Sequence, residues 1–164
     1  TYPVVGLRPT NNFGPWQYPE KALARWISNI LLGSKIPLWG EGRQVRDWLY
    51  APLTSDCILF LIENGVNGNA YNVAANHNPE ITNRTAAEWI CKLLEVDPEK
   101  WVEFIPDPRQ NHDFRYALNV EKLSKLGFEP VIDPYNQFKT TVDWYKENPS
   151  WWKKRKEEAE SIYN

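Results

Sequence analysis

The stretch Pro3-Val4-Val5-Gly6-Leu7-Arg8-Pro9-Thr10-Asn11-Asn12-Phe13-Gly14-Pro15 decides the fold class. Its apolar opening, bounded by turn formers, is the pattern of a short strand buried in a parallel sheet. It runs directly into a polar, turn-rich loop. Open α/β sheets hold their ligands in such loops, beyond the carboxyl ends of the strands. Further along, Ala70-Tyr71-Asn72-Val73-Ala74 reads as a second strand and Val102 to Ile105 as another short one. Helical patterns fill the intervals, so the class is α/β.

Pro19 suits the start of a helix, where its missing N–H does no harm. Leu23, Trp26, Ile27, Ile30 and Leu31 then share one face, and Gly33 stops the helix. Ile36 to Gly42 reads as an extended piece and a turn. Val45 to Tyr50 alternates with period two, which puts Arg46, Trp48 and Tyr50 on one face of a strand. Thr54 is placed to cap a helix running to Asn64 and ended by Gly65. Thr85-Ala86-Ala87-Glu88 fits the capping box, followed by Trp89, Ile90, Leu93 and Leu94 on one side. Asn119 caps a brief helix ended by Gly127. Asp133-Pro134 opens a last amphipathic helix with Tyr135, Phe138, Val142 and Tyr145 inward, stopping before Pro149. Residues 1–152 read as one portion, and the blocks of Lys, Arg and Glu in 153–164 read as a charged tail, solvated or frayed.

The chain has 164 residues with 19 basic and 21 acidic side chains, a net charge of −2. No global field recruits nucleic acid or an acidic membrane. No apolar run approaches the roughly 20 residues that span a bilayer, and the first residues do not read as a signal peptide. Two cysteines, Cys57 and Cys91, are too few for a disulfide scaffold and fit a reducing, cytoplasmic setting. Both fall on apolar helix faces, and their spacing to His77 and His112 matches no zinc pattern, so no metal is expected. Nine Trp and no Met lead us to expect a processed or excised piece of a longer chain.

Side-chain donors gather at element ends and in polar loops: Asn11, Lys21, Arg46, Asn83, Arg109 and His112. A phosphorylated ligand needs such groups, because a guanidinium binds phosphate through parallel charge-assisted bonds. The same residues also fit an ordinary solvated surface. Arg46-Asp47-Trp48 sets a planar cation near a large aromatic, which suits a nucleotide diphosphate or a plain Arg–Trp packing pair. The sequence holds no Gly-x-Gly-x-x-Gly, no P-loop and no Gly-x-Ser-x-Gly, and no nucleophile stands beside an evident base. On composition and spacing alone the chain reads as an α/β ligand-binding domain.

Four segments carry a resemblance. Thr10-Asn11-Asn12-Phe13-Gly14-Pro15-Trp16-Gln17-Tyr18-Pro19-Glu20-Lys21 resembles a segment of the dTDP-glucose 4,6-dehydratases. So do Pro37 to Tyr50 with their Trp-Gly-Glu-Gly and Arg-Asp-Trp-Leu-Tyr, Ala70-Tyr71-Asn72-Val73, and Asp107 to Ala117. The four occur in the family's order, from Thr1 to about Trp152. The family lies within the extended short-chain dehydrogenase/reductases, the NAD-dependent epimerases and dehydratases.

The resemblance implies a fold made of the last Rossmann strands plus a small, mostly helical substrate-binding lobe, the C-terminal part of such an enzyme. Asn11 and Arg46 would contact the diphosphate, with Lys21 close to the same end. Pro37 and Trp39 would flank the base, Asn83 and Arg109 would approach ribose and phosphate, and His112 would sit beside them. The family's Arg-Pro-Gly-His is here Arg109-Gln110-Asn111-His112, which changes the turn. NAD, the glycine-rich NAD loop, the catalytic Tyr-x-x-x-Lys pair and most dimer helices would belong to an N-terminal Rossmann half, the implied partner. This chain alone would bind no NAD and would be inactive. dTDP-glucose is the implied ligand. A UDP-sugar decarboxylase or epimerase of the same superfamily, and a stand-alone nucleotide-sugar-binding module, stay open as alternatives.

Overall fold

The computed structural model of the chain describes residues 2–108 and 113–161. Strands β1 (Gly6–Pro9) and β2 (Asn12–Phe13) lead to helix α1 (Ala22–Leu31). Strands β3 (Ile36–Trp39), β4 (Val45–Arg46) and β5 (Leu49–Tyr50) follow, then helix α2 (Ala51–Asn64) and strand β6 (Ala70–Val73). The order continues through α3 (Asn83–Leu93), the one-turn α4 (Pro98–Trp101), β7 (Val102–Ile105), β8 (Arg115–Tyr116) and the one-turn α5 (Glu121–Ser124). Two long helices, α6 (Pro134–Glu147) and α7 (Pro149–Glu160), finish the described chain.

Among the described residues the strands pair as β1–β6, β2–β5, β3–β7 and β4–β8, and every pair is parallel. Parallel strands require crossovers rather than tight turns, and the intervening helices supply them. The expected α/β class is what the chain adopts.

The strand expected over Val45 to Tyr50 is broken in two. Asp47 leaves the ladder because its buried carboxylate accepts the backbone N–H groups of Ala75 and Asn76, at 3.0 and 3.1 Å. Trp48 and Leu49 then enter different cores. Three helix starts also differ from expectation. α1 begins at Ala22, after a turn in which Lys21 N–H donates to the Tyr18 carbonyl. α2 begins at Ala51, so Thr54 lies inside it and donates to Asn12 Oδ1 at 2.6 Å instead of capping. α3 is capped one turn earlier than the box suggested, by Thr82, whose Oγ1 accepts the Thr85 N–H. Glu88 pairs with Arg84. Asp133 caps α6 as expected.

Two cores result. The larger gathers Trp26 and Ile27 of α1, Ile90 of α3, Phe138, Val142 and Tyr145 of α6 and Trp152 of α7 with Phe13 and Trp48. The Phe13 ring lies 4.8 Å from Phe138 and 6.3 Å from Trp48. The smaller joins Tyr71 and Val73 of β6 to Cys57 and Leu61 of α2 and Leu123 of α5. Cys57 and Cys91 are free, fully buried and in separate cores. Burial pushes both thiols up to about 11, where they are inert.

The charged stretch after Lys153 is neither solvated throughout nor frayed to Glu160. It belongs to α7, where Trp152 and Ala159 are buried and Lys156 is only 5% exposed. The reason lies on another helix: Lys156 Nζ donates to Asn29 Oδ1 of α1 and to Glu160 Oε1, each at 2.6 Å. Among the described residues no helix is long and apolar enough to cross a membrane.

Candidate functional site

A cleft of about 630 Å³ opens where the loop after β1, the start of α1 and strands β3 to β5 converge. The loop contributes Thr10, Asn11 and Asn12, and α1 with its approach contributes Lys21, Ala22, Leu23 and Arg25. β3 adds Pro37 and Trp39, β4 adds Arg46, α3 adds Asn83 and β8 adds Tyr116. Six of the eight residues expected at a ligand site, Asn11, Lys21, Pro37, Trp39, Arg46 and Asn83, thus line one cavity. The other two, Arg109 and His112, lie outside the described residues.

Arg46 is the most tightly specified of them, at 8% exposed. Its Nη1 donates to the carbonyls of Val45 (2.6 Å) and Phe114 (3.2 Å), and Nη2 donates to that of Asp113 (3.1 Å). Its guanidinium carbon lies 4.3 Å from the centre of the Tyr116 ring. These carbonyl and ring contacts orient the guanidinium without cancelling its formal charge. The stacking partner is therefore Tyr116, and not the Trp48 that period-two alternation suggested. Trp48 turns instead onto Trp26, Phe13 and Phe138.

Asp47, beside it, is a buried brace. Besides the two N–H groups after β6 it accepts Thr10 Oγ1–H at 3.3 Å, and His77 Nε2 stands 3.9 Å away. Burial raises its carboxyl above the ordinary range, against the lowering pull of His77 and these hydrogen bonds. It fixes the loop that presents Asn11 relative to the strand that presents Arg46.

α1 starts at the cleft wall with Lys21 as its N-cap and no side-chain cap. First-turn N–H groups of a helix lack intrahelical partners and carry the positive end of its dipole. The lining carries Lys21, Arg25 and Arg46; Lys21 pairs with Glu20 and Arg25 with Glu160, and together with the open helix start these donors suit the cleft to an anion. Three further polar atoms on lining residues, Gln17 Oε1, Trp48 Nε1 and Asn83 Oδ1, are buried without a hydrogen-bond partner. Each such group costs about 1–3 kcal/mol until something bonds to it.

Sequence reasoning missed Arg25, Gln17, Trp48 and Tyr116 as lining residues. Arg25 carried a usable signal, since it follows Lys21 by four positions on one helix face. The spacing Tyr-x-x-x-Lys, which the resemblance assigned to the N-terminal half, does occur once in this chain, at Tyr135 and Lys139. It is structural: the Tyr135 ring packs edge-on against Trp89 at 5.6 Å, and Lys139 pairs with Asp143. Neither lines the cleft.

Comparison with known proteins gives a consistent picture. The model of the NAD dependent epimerase/dehydratase family matches residues 1–74. The chain is 36% identical over 159 residues to the dTDP-glucose 4,6-dehydratase of Streptomyces niveus, covering 96% of this chain and 46% of that protein. It is 35% identical over 150 residues to a trifunctional UDP-glucose 4,6-dehydratase/UDP-4-keto-6-deoxy-D-glucose 3,5-epimerase/UDP-4-keto-L-rhamnose-reductase of Arabidopsis thaliana, covering 92% and 22%. The crystal structure of dTDP-glucose 4,6-dehydratase from Bacillus anthracis in complex with NAD superposes with a TM-score of 0.84 at 38% identity, covering 92% and 47%. The chain thus spans about half the length of the two dTDP-glucose 4,6-dehydratases.

Proposed function

The chain belongs to the NAD-dependent epimerase/dehydratase family, and from that premise we propose that it is the nucleotide-sugar-binding portion of a 4,6-dehydratase. The ligand in this reading is dTDP-glucose, the substrate in the name of the Streptomyces niveus relative. Arg46, Lys21 and the open N-terminus of α1 hold the diphosphate, with Asn11 hydrogen-bonded at the same end. Trp39 stacks on the base against Pro37, and Asn83, Arg109 and His112 serve the ribose and phosphate. The observation that carries this reading is the convergence of six anticipated residues on one cleft headed by a buried, carbonyl-oriented arginine.

Binding energy gathered on the unreactive nucleotide orients the sugar for chemistry elsewhere in the protein. The nicotinamide cofactor seen in the Bacillus anthracis enzyme supplies hydride transfer where it is bound. We read the residues here as not supplying its glycine-rich turn, because β1 leads through Thr10 and Asn11 into β2 rather than into a helix N-terminus. We assign the NAD loop and the catalytic Tyr–Lys pair to residues beyond this chain, and we place the protein in the cytoplasm, where Cys57 and Cys91 stay reduced. UDP-glucose is the second candidate, favoured by the Arabidopsis relative.

Calorimetric titration with thymidine and uridine diphosphates and their glucose conjugates tests both. A hydrogen bond to a charged group contributes about 1.5–3 kcal/mol, so Arg46→Ala and Arg109→Ala are each expected to weaken binding roughly 10- to 100-fold. Unchanged affinity in both variants would overturn the reading.

A further inference from the structure

One more cation than those assigned above belongs to the cleft wall. Arg25 lies one helical turn past Lys21 on α1 and lines the same cavity. A helical side chain covers the turn N-terminal to its own Cα, so Arg25 serves the turn that Lys21 opens. Its guanidinium is gripped by a residue 135 positions away: Nε donates to Glu160 Oε1 at 3.1 Å and Nη2 to Oε2 at 3.0 Å. This is the two-bond fork that fixes a guanidinium in plane as well as in place. Glu160 is itself held by the buried Lys156, which also bonds Asn29 on α1.

The network is more than α7 needs for attachment. Trp152 already anchors the helix in the larger core and Ala159 is buried as well, and ion pairs near a surface add little stability. What the pairing does is hold a guanidinium, its charge shared with the Glu160 carboxylate, flat and oriented beside Lys21 and the uncapped start of α1. The one carboxylate of the lining, Glu20, is paired with Lys21 at 3.4 Å.

We propose that Arg25 is a further ligand contact of this cleft, for the phosphate groups of a nucleoside diphosphate, and that Glu160 of the C-terminal helix is the positioning residue that sets its plane. The proposal rests on the nucleotide-diphosphate reading of the cleft. It makes α7, which carries no cleft-lining residue, part of the binding apparatus.

The test is calorimetric titration of thymidine diphosphate and uridine diphosphate into the full chain and its variants, with the thermal midpoint recorded alongside. Arg25→Gln is expected to raise Kd about 10-fold, the lower end for a charged hydrogen bond. Glu160→Gln is expected to raise it about 3-fold. The double variant should bind no more weakly than Arg25→Gln alone, because Glu160 acts through Arg25. Arg25→Lys, which keeps the charge and loses the fork, should recover only part of the affinity. An unchanged Kd for Arg25→Gln beside a weakened Arg46→Ala overturns the role of Arg25 and leaves the cleft reading standing. Additive losses in the double variant overturn the positioning role of Glu160. Failure of the wild-type chain to bind either diphosphate overturns this proposal and the cleft reading together.

Discussion

Helices α1, α3, α6 and α7 converge on a core that encloses Trp26, Ile90, Phe138 and Trp152, whereas α2 buries only Cys57 and Leu61 and leaves Ile58, Leu59 and Ile62 in solvent. The first region is closed by its own elements. The second is a two-stranded parallel sheet with α2 and the one-turn α5 packed on it, open along an apolar groove between β1 and α2. Parallel sheets are ordinarily covered on both faces, so the two regions differ in completeness more than in composition. The comparison teaches that the ligand cleft draws its rigidity from the closed side. α1 and β3 belong to the larger core, while Asp47 stitches that side to the end of β6.

That contrast can be broken by experiment. The largest effect is expected at Phe138→Ala, which empties the meeting point of Phe13, Trp48 and Trp89. Urea unfolding should register a loss of about 3–5 kcal/mol. Next comes the seam. Asp47→Asn cannot reproduce the carboxylate's acceptance of Ala75, Asn76 and Thr10, and about 1–3 kcal/mol should go with it. The same variant has a pH signature. Because the folded state raises the Asp47 carboxyl above 3.8, it binds its proton to higher pH than the unfolded chain does. That group's contribution to stability therefore falls as pH rises from 3.8 through the raised value, and Asp47→Asn should lack this slope. The smallest effect is expected on the open side: Ile62, 75% exposed, should tolerate replacement by Ala within about 0.5 kcal/mol. A loss as large as that of Phe138→Ala would mean the α2 face is covered in solution and the contrast is false.

The fold class was legible in local signals, and most of the cleft was legible because the family resemblance singled out its residues, Pro37 and Trp39 among them. An apolar run opening into Thr10-Asn11-Asn12 needs no distant information. What was not legible depended on remote partners. Thr54 looked like a cap, but its hydroxyl is taken by Asn12. The strand over Val45 to Tyr50 looked continuous, but the amides of Ala75 and Asn76 pull Asp47 out of it. Arg25 lies outside the apolar stripe of its helix, and nothing near it in the sequence announces Glu160. The polar composition of α7 hid the burial of Lys156 for the same reason: the acceptor, Asn29, is on another helix.

The parallel pairing of all four ladders bears on how the chain acquires its shape. Gly6 waits for Ala70, Ile36 for Val102 and Val45 for Arg115, so no ladder can zip from a neighbouring turn. Loop closure must come before these contacts repay it, and topologies dominated by distant pairings assemble slowly. During synthesis β1 therefore emerges long before its mate, and nearer contacts such as α1 with β3 are the ones that can form while it waits.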